Sequence, residues 1–89
     1  MKFMVTWSTN PAHQKEATAQ FLETGGGPPE GVKMLGRWHG SGMGYVLAET
    51  SDVKAIYEWT GRWQNLLQFV VTPVMEDAEA AEVMKKITA

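Results

Sequence analysis

The sequence predicts a small α+β domain, because strand-like and helix-like segments follow one another along the chain. Strand-like segments alternate apolar and polar residues, as Phe3, Val5 and Trp7 do near the start. Helix-like segments repeat apolar residues at helical spacing, as Ala17 and Phe21 do. With 89 residues, the chain is expected to form one domain over 1–89, since a second hydrophobic core would not fit.

Composition and charge narrow the classes of function. The net charge is −2, and eight basic residues are scattered among ten acidic ones, which disfavours nucleic acid and anionic membranes as partners. The chain has no Cys, which excludes disulfides and thiolate metal sites, and its two His residues lack ligand spacing. We therefore expect no metal and no cofactor. No signal peptide or membrane span is recognisable, so we expect a cytoplasmic protein.

The first half of the chain predicts a strand, a helix and a hairpin. Lys2 to Ser8 alternates as a strand does, and Asn10 followed by Pro11 is typical of a helix start. This helix is expected to run to about Glu23, where the glycine- and proline-rich segment 25–31 ends it. Residues 32–39 and 43–50 read as two further strands, and the Gly-Ser-Gly sequence at 40–42 is typical of a hairpin.

The second half predicts a helix, a strand and a last helix. Ser51 is the expected N-cap of a helix over about 52–64, whose apolar stripe is Val53, Ile56, Tyr57, Thr60 and Trp63. Residues 67–75 read as a strand, and Pro73 indicates that part of it lies at a sheet edge or bulge. The last helix begins near Asp77, and its apolar stripe is Ala80, Val83, Met84 and Ile87.

The order β-α-β-β-α-β-α predicts a ferredoxin-like sandwich with an extra C-terminal helix. Its antiparallel sheet should have the strand order 4-1-3-2, with the helices near 11–23 and 52–64 on one side. The more apolar sheet face should pack on them: Phe3, Val5, Trp7, Val46, Ala48, Phe69 and Val71. The other face, here called the open face, is too apolar for water alone. We therefore expect a homodimer with an interface above ~1,000 Å² in total.

The orientation of the second strand depends on the hairpin loop. A loop of odd length would place Trp38 against the helices and Arg37 and His39 on the open face. A two-residue loop at 41–42 would instead set Trp38 beside Tyr45. The first arrangement is the prediction, because Arg37 in a core under the helices would be an uncompensated charge.

Four segments resemble an uncharacterised bacterial domain family of unknown function: residues 2–7 (KFMVTW), 29–33 (PEGVK), 35–39 (LGRWH) and 71–74 (VTPV). The resemblance covers nearly the whole chain. That family is placed in the dimeric α/β-barrel, ferredoxin-like superfamily, whose members include cofactor-free monooxygenases and muconolactone isomerase. The resemblance implies the fold and dimerisation. It implies no reaction.

Five polar or aromatic residues are the candidate ligand-binding residues of the open face: Thr6, Arg37, His39, Tyr45 and Glu49. Histidine can accept or donate a proton near neutral pH. His39 is therefore a candidate for a catalytic base, although a weak one. Arg37 could bind an anion and Glu49 could orient His39, or the two could form an ion pair. A histidine at a strand end that bonds only backbone or solvent is the simpler interpretation of His39.

The aromatic residues allow two interpretations. Trp38, Trp59 and Trp63 could line a site for a planar ligand, although core packing explains Trp63, which lies on the helix stripe. Trp59 falls off that stripe and could touch a partner or a ligand.

Three functions remain open from the sequence. The first is a dimeric domain that binds a small organic molecule between its paired sheets, because the open face mixes apolar and polar residues. The second is a cofactor-free enzyme of monooxygenase or isomerase type, which requires His39 to reach a substrate proton. The third is a structural or interaction module with a filled barrel. Whether the protein is an enzyme is not decided by its sequence.

Overall fold

The computed structural model describes all 89 residues and has the predicted α+β class. The antiparallel sheet has the order β2-β3-β1-β4, the predicted order read from the opposite edge, in a ferredoxin-like arrangement. In chain order, the elements are β1 (Lys2–Thr9), α1 (Gln14–Thr24), β2 (Lys33–Gly40), β3 (Met43–Glu49), α2 (Val53–Gly61), β4 (Leu67–Val74) and α3 (Asp77–Thr88).

Short polar side chains fix the starts of the two main helices. The Asn10 side chain accepts a hydrogen bond from the Ala12 amide and caps a 3-10 turn that leads into α1. Asn10 therefore has the predicted capping role, one turn ahead of the α-helix itself. For α2 the N-cap is Asp52, whose carboxylate accepts from the Lys54 amide, and the prediction of Ser51 was wrong by one residue.

The core lies between the sheet and the two main helices. Its six buried residues come from β1, β3 and α2: Phe3, Val5, Val46, Ala48, Ile56 and Trp59. Trp7, Val32, Met34 and Phe69 pack against them. The faces that alternation predicted for β1, β3 and β4 are confirmed, since these apolar residues share the side that the helices cover.

The buried face of α2 differs from the predicted stripe. Tyr57 is 74% exposed, whereas Trp59 is only 7% exposed and belongs to the core. Ile56 and Trp59 face inward three residues apart, and Trp63, in the turn that follows α2, is buried as well. The prediction failed because Tyr57 and Trp59 fit two overlapping helical stripes equally well, and only the position of the sheet selects one.

The hairpin between β2 and β3 contradicts the predicted orientation of β2. Only Ser41 and Gly42 separate the paired residues Gly40 and Met43, and Gly42 has a φ of 70°. Trp38 therefore pairs with Tyr45 and lies on the open face. Arg37 and His39 lie on the opposite, helix-covered side of the sheet, so their predicted placement on the open face was wrong.

A β-bulge at Leu35 restores the apolar pattern at the other end of β2. Met34 pairs with Ala48 and Gly36 pairs with Leu47, so Leu35 is the extra residue. The bulge lets Met34 and Arg37 share the helix-covered face although an odd number of positions separates them.

Helix α3 has little contact with the rest of the chain. None of its residues is buried, and Val83, Met84 and Ile87 expose an apolar stripe. A salt bridge from Lys2 to Glu76 ties the start of α3 to the sheet. The hydrogen bond within this salt bridge raises the pKa of the Lys2 ammonium and lowers the pKa of the Glu76 carboxyl group. No helix of the structure is both long and apolar enough to cross a membrane.

Candidate functional site

A cavity of about 380 Å³ opens between the helix-covered face of the sheet and helices α1 and α2. It lies toward the β2–β3 hairpin, whose residues Gly40, Gly42 and Met43 form part of its rim. Eleven of its 20 lining residues are hydrophobic. The rings that line it are those of Trp7, Phe21, His39, Trp59, Trp63 and Phe69.

One row of residues across the sheet forms the aromatic floor of this cavity. His39 pairs with Gly44, Gly44 with Trp7, and Trp7 with Phe69, so the four lie side by side on neighbouring strands. A Cβ atom at Gly44 would collide with the Trp7 indole. The glycine therefore lets the Trp7 ring lie across β3 and reach the His39 ring, with 5.6 Å between the ring centroids.

The C-terminal end of α1 compensates the charge of Arg37 in the cavity wall. Arg37 Nη1 donates to the Gly26 carbonyl at 2.8 Å, and Nη2 donates to the Gly25 carbonyl at 3.0 Å. These carbonyls follow the last turn of α1, where the helix dipole carries partial negative charge. The Phe21 ring lies 4.9 Å from Arg37 Cζ, within cation–π distance. This arrangement explains why an arginine is tolerated under the helices, contrary to the sequence-based argument.

The Gly26 carbonyl, just after α1, accepts hydrogen bonds from two other elements at the cavity. Besides Arg37 from β2, the indole Nε1 of Trp59 from α2 donates to it at 3.3 Å. Gly26 itself ends the turn after α1 with a φ of 58°, a value that favours glycine. The segment after α1 thus positions the arginine and one aromatic wall at once.

Aromatic contacts hold the His39 imidazole at the cavity wall. Phe21 approaches it edge-on with 5.3 Å between ring centroids, and Trp7 does so from the other side. Neither ion pair of the chain involves His39, since these join Lys2 to Glu76 and Arg62 to Glu58. Neither role considered for Glu49, orienting His39 or pairing with Arg37, is met, because Glu49 lies on the opposite face of the sheet.

The structure divides the five predicted ligand-binding residues between the two faces. Arg37 and His39 line the cavity. Thr6 and Tyr45 pair on the open face, in a row that continues to Trp38 on one side and Val70 on the other.

Glu49 lies four positions beyond Tyr45 on β3, roughly 14 Å at ~3.4 Å per residue. Its backbone partners are Lys2 and Lys33 on the two neighbouring strands. Glu49 is therefore part of a charged row at the far end of the open face and is remote from Tyr45.

Several cavity residues were assigned to the core from the sequence, among them Trp7, Phe21 and Phe69. Their apolar character predicts burial but does not distinguish a filled core from a cavity wall. The informative signal was the two-residue loop at 41–42, because that loop alone brings Arg37 and His39 to the same face as these rings.

The ionisable side chains of the cavity lining are all basic. Arg37 and His39 are its ionisable side chains, and the lining contains no Asp or Glu. No group of three or more His, Asp or Glu side chains is arranged to hold a metal ion. The cavity therefore offers aromatic surface, one permanent cation and one imidazole.

Comparison with known proteins places a family match over almost the whole chain. Residues 1–88 match the model of the family described as "Domain of unknown function (DUF3303)". No curated protein and no solved structure matches the chain.

Proposed function

Because the chain belongs to the DUF3303 family, whose description names no activity, we propose its function from its own geometry: it binds a small organic molecule in the cavity between sheet and helices. The proposal keeps the ligand class expected from the sequence but moves the site to the helix-covered side of the sheet. The observation that carries it is the position of Arg37 and His39 in the wall of an aromatic cavity.

The form of the cavity supports binding. Ligand sites are typically concave, mostly apolar and supplied with a few polar groups, at volumes of about 300–1,000 Å³. The present cavity has about 380 Å³ and pairs a largely hydrophobic lining with Arg37 and His39. Trp59 and Arg37 are held by hydrogen bonds to Gly26, so two of its walls are fixed before a ligand arrives.

We further propose that the open face pairs with a second copy, as in a dimeric α/β barrel. Trp38, Tyr45 and Val70 are exposed in one row across the sheet, with Thr6 between Tyr45 and Val70, and exposed large apolar side chains in one row are unfavourable in water. The exposed apolar stripe of α3 supports the same proposal, since a helix of 12 residues is marginally stable without packing. Self-association would cover both surfaces.

Geometry favours binding over the two rival functions. A general base is usually oriented by a third group, but the His39 side chain makes ring contacts with Trp7 and Phe21 and no ion pair, and Glu49 lies on the other face. This arrangement gives no support to an enzyme built on a His39–Glu49 pair. A purely structural module has no need of an open aromatic cavity, so this alternative is also less favoured.

A neutral dye tests the proposed binding site. N-phenyl-1-naphthylamine fluoresces more strongly in apolar surroundings, and the full chain should enhance its emission saturably. Thr18 lines the cavity, so Thr18→Trp should fill part of it and weaken binding about tenfold or more. Ala19, the next residue of α1, is exposed and outside the lining, so Ala19→Trp is the matched control and should bind as the wild type does. Equal binding by the two variants would place the dye elsewhere and refute the proposed site.

A further inference from the structure

We infer that the cavity selects a planar aromatic monoanion of two or three rings, such as an aryl carboxylate. This inference rests on the proposed binding function and adds the chemical class of the ligand. Two independent observations carry it: the aromatic lining and a cation that has no carboxylate partner.

The lining determines the shape of the ligand. Tryptophan, phenylalanine and histidine rings surround the cavity, and such rings pack best against flat aromatic surfaces in stacked or edge-on geometry. The volume of about 380 Å³ is near the lower end of the range for small-molecule sites. A compact ligand of two or three rings therefore fits better than an extended one.

Arg37 determines the charge. Its contacts within the chain are the two carbonyls after α1 and the Phe21 ring, and neither ion pair of the protein includes it. A helix C-terminus carries only about half a negative charge, so the guanidinium charge is only partly compensated. The guanidinium has five N–H donors, of which two are used, so three have no hydrogen-bond partner within the chain.

Arginine recognises carboxylates well, because its planar donors match the two oxygens of the anion. His39 lies in the same wall and supplies a second hydrogen-bonding group. With no acidic residue in the lining, a cationic ligand would find no ion-pair partner and would be repelled by Arg37. A neutral ligand could accept a hydrogen bond from Arg37 but would form no ion pair with it.

Three naphthyl ligands of similar size and different charge test the inference by isothermal titration calorimetry on the full chain: 1-naphthoate, 1-naphthamide and 1-naphthylmethylammonium. We expect 1-naphthoate to bind about tenfold to a hundredfold more tightly than 1-naphthamide, because the carboxylate forms an ion pair with Arg37, whereas the amide oxygen only accepts a hydrogen bond from it. The ammonium compound should bind most weakly. Thr18→Trp should weaken the binding of 1-naphthoate as it does that of the dye.

Arg37→Gln should reduce the preference for naphthoate over naphthamide to about onefold, since it removes the cation. Arg62→Gln removes the same charge from an exposed i,i+4 pair on α2, outside the lining, and should leave the preference unchanged.

If Arg37→Gln fails to fold by circular dichroism, the wild-type comparison of the three ligands decides alone. Wild-type binding of the amide or the ammonium compound as tight as that of naphthoate overturns the inference. Failure of all three to bind while the neutral dye still binds overturns the ligand class but not the binding function, whereas failure of the dye as well refutes both.

Discussion

Gly44 provides a test of the aromatic floor at the scale of one residue. Its missing side chain leaves the space that the Trp7 indole occupies, so Gly44→Ala forces the ring or the strand to move. Overpacking of this kind costs about 1–3 kcal/mol of the free energy of unfolding. We expect urea denaturation to show a loss of that size, together with weaker dye binding, because Trp7 also lines the cavity.

Gly61 is the control for this substitution. It is the last residue of α2, and a Cβ atom there would meet no other atom within 4 Å. Gly61→Ala should therefore be neutral or stabilise the protein by up to about 1 kcal/mol, since alanine favours the helix. Equal stability of the two alanine variants would show that Trp7 does not pack on Gly44 as described.

At the same scale, the alternation of residue types was sufficient to predict the faces of most strand residues. Phe3, Val5 and Val46 are buried where the pattern placed them. Arg37 was not predictable in this way, because its placement depends on carbonyl groups eleven and twelve positions earlier in the chain. The sequence shows that the arginine needs compensation but not that the end of α1 supplies it.

At the scale of elements, β1, β3 and β4 were predicted with the correct partners and faces. The two faces of β2 were predicted the wrong way round. A strand with apolar and polar residues on both faces has a weakly specified orientation, and β2 presents Trp38 on one face and Met34 on the other. The two-residue turn at Ser41 and Gly42 and the bulge at Leu35 together fix it. The alternation of apolar and polar residues along a strand reveals neither the turn nor the bulge.

The helices were likewise predicted only in part from the sequence. Apolar spacing identified all three helices, but it did not identify which stripe of α2 is buried or that α3 would lack a partner within the chain. Both depend on surfaces from other parts of the molecule. The cavity could not be predicted from the sequence for the same reason, since α1, α2 and the sheet each supply only one wall.

At the scale of the whole molecule, self-association of the open face can be tested with one charge. Val70 is 63% exposed on this face, and Val53 is 59% exposed on α2. In a symmetric dimer, Val70→Glu buries two carboxylates, and at about 1.4 kcal/mol or more each the dissociation constant should rise about a hundredfold or more. Val53→Glu should leave it unchanged. Sedimentation equilibrium measures both variants, and a wild-type protein that is monomeric at micromolar concentration would refute the dimer.

The four tryptophans offer the most direct test of where the ligand binds. Trp7, Trp59 and Trp63 line the cavity, whereas Trp38 is 57% exposed on the open face. Their indole N–H signals can be followed in ¹H–¹⁵N spectra during a titration with N-phenyl-1-naphthylamine and assigned with single Trp→Phe variants. A bound aromatic ring should shift the three cavity signals in a saturable way and leave the signal of Trp38 in place. A shift of Trp38 with the other three unchanged would contradict the account and place the ligand on the open face of the sheet.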